Sequence, residues 1–591
     1  TQEDRGSAMT TFGADAEERP HPPRGRLWWI ERSFEKARSA GRIEDDTRLR
    51  IFFVMVLFAA GFVALALGAS RAALVSGLDV ADEVAAPLAG ARGDILDRNG
   101  RVMAIDLVRF GLYLAPGEVS DRAGTVAALT AALPNLERTR LIKDLSGDKP
   151  EYYLAGGLTP AQRDAIHALA LPGVRFEDET ARAYPLGDTA AHLIGFASKD
   201  GRGLAGIERG LDSLLRSDGG RDPVTLSIDL RVQGALHDEL AAAAALYHPA
   251  GESGVVVDVR TGEVLAMSSW PDFDPNDPGK AAPADLIDHA AASVYEPGSV
   301  FKVFTLAMGL DSGVANLNTL FDVSHPLQLK GQTIHDYDKG DKILPLWEVF
   351  THSSNIGAAK LGLMCGAQRM NQYFHGFGLF AAAPSILAES AAPITPRRLT
   401  VNTVASMSFG HAISVSPLAL ATGMSAILNG GVWRPLTFLK LASGQPPAPG
   451  RRVISAATSR TMLGLMRLNA MVGTGRKANV AGYRVGGKTG TAEKIVDGRY
   501  DRHENVSSFA GVFPTDGPLD ADRYLVFIML DTPHPTKETG GFTTGGETAA
   551  PTVGKVIARI APLLGVTREP DATALPFQNL ADFTPPKGGT D

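Results

Sequence analysis

Three short clusters in this 591-residue chain hold side chains suited to acyl transfer. Ser299 and Lys302 stand three positions apart, so on a helix they share a face, and a hydroxyl beside an amine suits a serine nucleophile with a lysine base. The Ser-x-x-Lys pattern also occurs at Ser33/Lys36 and Ser146/Lys149, and context separates the three. Ser33 lies in a basic amino-terminal stretch, and Ser146 runs into Gly147, Asp148 and Pro150, which favour a loop. Ser299 follows Glu296-Pro297-Gly298 and opens the apolar run VFKVFTLAMGL, which places it at a helix start. There the unpaired backbone N–H groups and the helix dipole help an oxyanion and disfavour a charged lysine. A dry site would push Lys302 towards its neutral, basic form.

Ser353-Ser354-Asn355 precedes the helix-like IGAAKLGLMCGA. A hydroxyl and a carboxamide two apart can face one cleft, the first relaying a proton and the second holding a substrate amide; a plain helix cap is the competing reading. Lys488-Thr489-Gly490 lies in YRVGGKTGTA, where a strand would put Lys488 and Gly490 on one face, the cation for a carboxylate and the bare backbone for close approach of substrate. Taken alone it also reads as a surface turn. The same residues complete a literal P-loop pattern from Gly482 to Thr489, with YLVFIMLD ending at Asp531 as a possible acidic strand. A P-loop requires a strand before the first glycine and a helix directly after Lys-Thr, and neither flank fits.

The elements that must position these clusters follow from patterning. A helix over 229–246, strands VVVDV (255–259) and EVLAMSS (263–269), helices over 299–311, 345–374 and 414–429, and strands near 481–491, 507–513 and 523–530 make an α+β unit. Strands at both ends with helices between them predict an antiparallel sheet whose first and last strands pair, under a helical layer. Upstream, Asn99-Gly100 marks a hairpin, 120–172 reads as helices with polar joints, and Arg221-Asp222-Pro223 marks a boundary.

At this length several domains are expected, at roughly 100 to 200 residues each. Residues 51–70 run without a charge for long enough to cross about 30 Å of hydrocarbon. Arg32, Lys36, Arg38, Arg42, Arg48 and Arg50 precede them and only Arg71 follows closely, so the amino terminus is expected in the cytoplasm and the body outside. Net charge is −7, which argues against bulk nucleic-acid binding. The single Cys365 excludes an internal disulfide and reads as a core residue, and thirteen histidines show no metal-binding spacing.

In this order, with the flanks EPGSVFK, HSSNIGAAKLG, GKTGTAEK and RGDILDRNG, the three motifs resemble the class B penicillin-binding proteins, and most closely their septal branch. The resemblance implies a serine β-lactamase-like transpeptidase domain at 223–567. Before it would come a cytoplasmic tail (1–48), a transmembrane anchor (49–70) and an elongated pedestal of dimerisation type (71–222), with a flexible tail (568–591) after it. It implies a peptidoglycan D,D-transpeptidase of septal wall synthesis in the bacterial inner membrane, without cofactor. Ser299 would be the nucleophile, Lys302 the general base, Ser353 the proton relay and Asn355 the holder of the substrate amide. Lys488, Thr489 and Thr491 would bind the substrate or β-lactam carboxylate beside Gly490, and the N–H groups of Ser299 and Thr491 would form the oxyanion hole. Implied partners are stem peptides, β-lactams, a SEDS-family glycosyltransferase and other division proteins. The alternatives are an elongation-type relative, a β-lactamase, a penicillin sensor-transducer or the P-loop ATPase. Anchor and pedestal weigh against a β-lactamase, as does Ser354 where class A enzymes carry Asp.

Overall fold

The computed structural model describes residues 54–63, 65, 92–216, 222–337, 342–496 and 499–569. The expected tail (1–48), Ser33/Lys36, half of the expected anchor (49–53, 64 and 66–70), and the final tail beyond 569 lie outside the described residues. The chain divides into two compact units, 1–86 and 87–591. In the first, residues 54–63 and 65 are helical with exposed apolar side chains such as Leu57 and Phe62. Among the described residues no helix is long and apolar enough to cross a membrane.

The second unit begins with a sheet built on one long strand. Strand β1 (Ile95–Leu96) turns at Asn99-Gly100 into β2 (Val102–Leu114), which pairs antiparallel with both β3 (Tyr152–Leu158) and β4 (Val174–Ala183). Gly100 takes φ +81°, as the hairpin requires. Residues 120–172 are therefore not all helical: β3 separates the helices Arg122–Ala132 and Arg138–Leu145 from Pro160–His167. The short β5 (Val224–Thr225) runs parallel to β1 and leads into the rest of the unit. Behind β1, Glu208 is fully buried and accepts from the guanidinium groups of both Arg92 and Arg182, and Arg182 also reaches Asp106 at 3.1 Å. Arg92 is thus an internal cation.

The larger part of this unit is built on a five-stranded antiparallel sheet in the order β8-β9-β10-β6-β7. Its strands are β6 (Gly251–Asp258), β7 (Val264–Trp270), β8 (Gly486–Val496), β9 (Arg499–Phe513) and β10 (Tyr524–Asp531). The first and last strands pair, Val255 opposite Phe527. Both faces are covered. Val255 and Val257 point into one core with α2 (Lys302–Asp311), α3 (Leu346–Thr351), α4 (Asn355–Gly376), α5 (Pro417–Leu428) and α6 (Ala456–Val472). Val256 points into the other, with α1 (Leu230–Tyr247) and α7 (Ala549–Leu563). An uninterrupted valine run is what a strand buried on both faces demands, so the single helical layer expected from sequence is in fact two.

Candidate active site

Ser299 lies in a 3-10 turn, Gly298–Phe301, that feeds directly into α2. Gly298 has φ +56°, and a Cβ there would stand 2.5 Å from the Thr491 carbonyl oxygen, so glycine lets this turn press onto β8. On its other side the Gly298 N–H donates to the Gly410 carbonyl at 3.1 Å. The nucleophile turn is held between two backbones. Gly490 adds to this contact: a Cβ there would meet the Pro297 carbonyl oxygen at 2.8 Å and Ser508 Oγ at 2.3 Å. The bare backbone at Gly490 admits the turn that carries Ser299.

Lys302 is fully buried. Its Nζ lies 2.9 Å from Ser299 Oγ, 3.1 Å from Ser353 Oγ and 2.7 Å from Asn355 Oδ1, and it also donates to the Ser353 carbonyl. Burial pulls its pKa down to about 7, and the negative charge of Asp336 opposes that fall. A large neutral fraction near pH 7 gives a lone pair that can take the Ser299 proton.

The helix expected over 345–374 is broken at 352–354, between α3 and α4. Ser353 adopts φ +58°, a sparsely populated region for any residue but glycine, and such strain concentrates at functional sites. Its Oγ accepts from Lys302 at 3.1 Å and from Lys488 at 2.9 Å, which leaves its own proton for a third partner. The cap is the middle residue: Ser354 Oγ accepts from the Gly357 N–H at 2.9 Å and donates to Asp336 Oδ2 at 2.6 Å. Asp336 Oδ1 accepts from the N–H groups of Asn355 and Ile356 at 2.5 and 2.9 Å. One carboxylate therefore fixes the start of α4 while facing Lys302. Asp336 was not anticipated from sequence, because a residue nineteen positions before the helix whose start it holds carries no local signature.

Lys488 sits mid-strand in β8, opposite Ala510, and no helix follows it, which removes the P-loop reading. Its side chain is fully buried, donating to Ser353 Oγ at 2.9 Å and to Thr489 O and Oγ1 at 3.2 Å. Burial, and then the charge of Lys302, pull its pKa well down. The Lys488 amine therefore stands behind the hydroxyls of Ser353 and Thr489. Thr489 Oγ1 lies 2.8 Å from Thr474 Oγ1, and Thr491 Oγ1 accepts from the Gly545 N–H at 3.0 Å. Ser299, Ser353, Asn355 and Thr491 are half-buried.

A second group not anticipated from sequence flanks the nucleophile. Glu296 Oε1 accepts from the Ala412 N–H at 2.9 Å and the Tyr500 hydroxyl at 3.2 Å, with His411 Nδ1 3.3 Å from Oε2. Burial raises Glu296 to about 7, while burial and the Lys302 charge pull His411 down to about 4.

Comparison with known proteins agrees with this geometry. Residues 253–558 match the penicillin binding protein transpeptidase domain, and 87–236 the penicillin-binding protein dimerisation domain. The chain is 52% identical to the probable peptidoglycan D,D-transpeptidase FtsI of Caulobacter vibrioides, covering 93% of this chain and 94% of the relative. It is 32% identical to FtsI of Escherichia coli, over 81% and 84% of the two chains. Penicillin binding protein 3 of Mycobacterium tuberculosis, solved with aztreonam, superposes with TM-score 0.63 at 26% identity, covering 81% of this chain and 98% of that one. Penicillin binding protein 2X of Streptococcus thermophilus shares the fold at 21% identity and TM-score 0.67, over 81% of this chain and 80% of that one. With two lysines converging on one serine behind Ser299, and with both domains matched in order, the chain belongs to the class B penicillin-binding proteins.

Proposed function

We propose that this protein is a peptidoglycan D,D-transpeptidase that cross-links stem peptides during septal wall synthesis. The observation that carries the reading is the 2.9 Å approach of a dry, fully buried Lys302 to Ser299 Oγ, within a cluster that also holds Ser353 and Lys488. Neutral Lys302 takes the Ser299 proton as Oγ attacks the carbonyl of the penultimate D-Ala. The N–H groups of Ser299 and Thr491 receive the oxyanion; removing one such donor typically costs about 10²- to 10³-fold in rate. Ser353 passes a proton to the departing D-Ala amine, its own oxygen kept supplied by Lys302 and Lys488. The C–N bond breaks, D-Ala leaves, and an ester to Ser299 remains. An amine from a neighbouring strand then attacks that ester, forms the cross-link amide and returns the proton to the site. Asn355 holds the donor peptide amide, and Thr489 and Thr491 hold its terminal carboxylate in the field of Lys488. A β-lactam, which mimics the D-Ala-D-Ala end, acylates Ser299 by the same route and stays.

The septal assignment rests on the likeness to FtsI over nearly the full length of both chains. The charge-free run 51–70 with its basic amino-side flank supports a single-pass anchor in the inner membrane, a cytoplasmic tail (1–48) and an outer body made of a pedestal (71–222) and a catalytic domain (223–567). A SEDS-family glycan polymerase and other division proteins are the partners this placement implies. A tagged full-length copy should collect at midcell, and a lateral-wall distribution would favour the elongation-type reading. Reconstitution with a glycan polymerase and its lipid-linked precursor should yield cross-linked peptides that vanish with Ser299→Ala.

A further inference from the structure

Asp188, His237 and Asp272 stand apart from the residues grouped around Ser299. Asp188 lies in the 3-10 turn Gly187–Ala190, His237 in the middle of α1, and Asp272 just beyond β7. Their donor atoms all lie within 4.8 Å of one another. His237 Nε2 is 3.9 Å from Asp188 Oδ1 and 3.8 Å from Asp272 Oδ2, distances too long for hydrogen bonds. Asp272 Oδ2 is itself fully buried and has no hydrogen-bond partner. A buried carboxylate oxygen left so is costly, and here it faces an imidazole nitrogen across a gap rather than closing on it.

That gap has the dimensions of a metal site. Tetrahedral zinc holds nitrogen and oxygen ligands at about 2.0 to 2.1 Å, which sets them about 3.3 Å apart. The separations of 3.9 and 3.8 Å from His237 Nε2 need to shrink by about half an ångström each, and the exposed Asp188, on a short turn, can move towards both the imidazole and Asp272, whose donor atoms lie within 4.8 Å of its own. Two carboxylates and one neutral imidazole balance a divalent charge. A donor set that includes imidazole suits zinc, whereas calcium and magnesium take oxygen ligands.

The frame around the three donors is rigid. Gln233 lies one helical turn before His237 on the same face of α1. Its Nε2 donates to the Thr189 carbonyl at 2.8 Å and to the Met267 carbonyl at 3.0 Å, and its Oε1 accepts from the Met267 N–H at 2.9 Å. One side chain thereby fastens the segment of Asp188 and the strand leading to Asp272 onto the helix that carries His237. Asp188 falls in the region matched to the dimerisation domain and Asp272 in that matched to the transpeptidase domain.

We propose that Asp188, His237 and Asp272 form a zinc site that staples the pedestal to the catalytic body. Solvent at the exposed Asp188 side completes the coordination. The site stands independently of the transpeptidase reading.

The test uses the full-length chain in detergent, stripped with a chelator and titrated with zinc chloride, read by equilibrium dialysis and by thermal unfolding. The wild type is expected to bind a single equivalent of zinc and to gain Tm as free zinc rises. His237→Ala and Asp272→Asn are expected to bind zinc about tenfold or more weakly and to lose the Tm gain, while labelling of Ser299 by a fluorescent penicillin keeps its wild-type rate. That retained labelling reports a folded catalytic body. If either variant loses labelling, Asp188→Asn, at an exposed position, takes its place with the same expectation. No saturable binding by the wild type at micromolar free zinc, or unchanged affinity in the folded variants, overturns the proposal.

Discussion

Lys302 Nζ lies 2.9 Å from Ser299 Oγ, with the lysine side chain fully buried and its pKa drawn down to about 7. Proximity and a matched pKa together make a base, because acylation needs the neutral amine and burial disfavours the charged one. Acylation by a chromogenic β-lactam should therefore rise with pH through a midpoint near about 7. Lys302→Ala should lower the rate by about 10²- to 10⁴-fold and flatten that limb. Stopped-flow acylation across pH 5.5 to about 8.5 checks both, and a flat wild-type profile would remove Lys302 as the base.

Asp336 supplies a charge that can be varied without touching Ser299. Its carboxylate holds the Lys302 pKa up against burial, so Asp336→Asn should let that pKa fall and move the acid limb of acylation to lower pH. Weakening of the three bonds it accepts at the start of α4 should also cost about 1 kcal/mol of stability. A purely structural residue would change the rate without moving the midpoint, so the direction of the pH shift is the measurement that matters.

Gly298 is tested by adding one carbon. Gly298→Ala puts a Cβ 2.5 Å from the Thr491 carbonyl oxygen, at φ +56°. Overpacking of this kind costs about 1 to 3 kcal/mol, and a small displacement of a reacting group can cost about 10²-fold in rate. Thermal unfolding and acylation kinetics on the same preparation should both register the change, with penicillin labelling slowed rather than abolished.

In the region matched to the dimerisation domain, Glu208 accepts from the guanidinium groups of both Arg92 and Arg182. Glu208→Ala removes one carboxylate partner from each of two buried guanidinium groups, leaving Arg92 with Asp212 and Arg182 with Asp106, and should destabilise the protein by about 3 to 5 kcal/mol. Denaturant unfolding of the variant should show this loss, and a change below about 1 kcal/mol would mean that Asp106 and Asp212 already suffice.

Most of the site was legible in the sequence because its chemistry is carried by spacing. Ser299 and Lys302 meet because residues three apart meet on any helical turn, whether 3-10 or α, and the valine run of β6 marked a strand, although its burial on both faces, and with it the second helical layer, was not read from it. What escaped depends on contacts distant in sequence. The break that turns Ser353 towards two lysines is a positive φ at a serine, to which no propensity points. Asp336 and the Glu296, His411 and Tyr500 group are brought in by loops and a hairpin from elsewhere in the chain. Lys488 lies on the strand as the pattern predicted, but its depth was set by α3, whose Phe350 ring stands 5.8 Å from Nζ. Helices α6 and α7 also went unread, although Ser455 and Thr458 offered a capping signal before the first.

The central claim is that Ser299 forms the acyl-enzyme. Incubation of the full-length protein with a fluorescent penicillin, followed by denaturing electrophoresis and peptide mapping, tests it most directly. The adduct is predicted on the peptide containing Ser299, stable to denaturation and absent from Ser299→Ala, with Lys302→Ala labelled only slowly. Undiminished covalent labelling of Ser299→Ala would contradict the account.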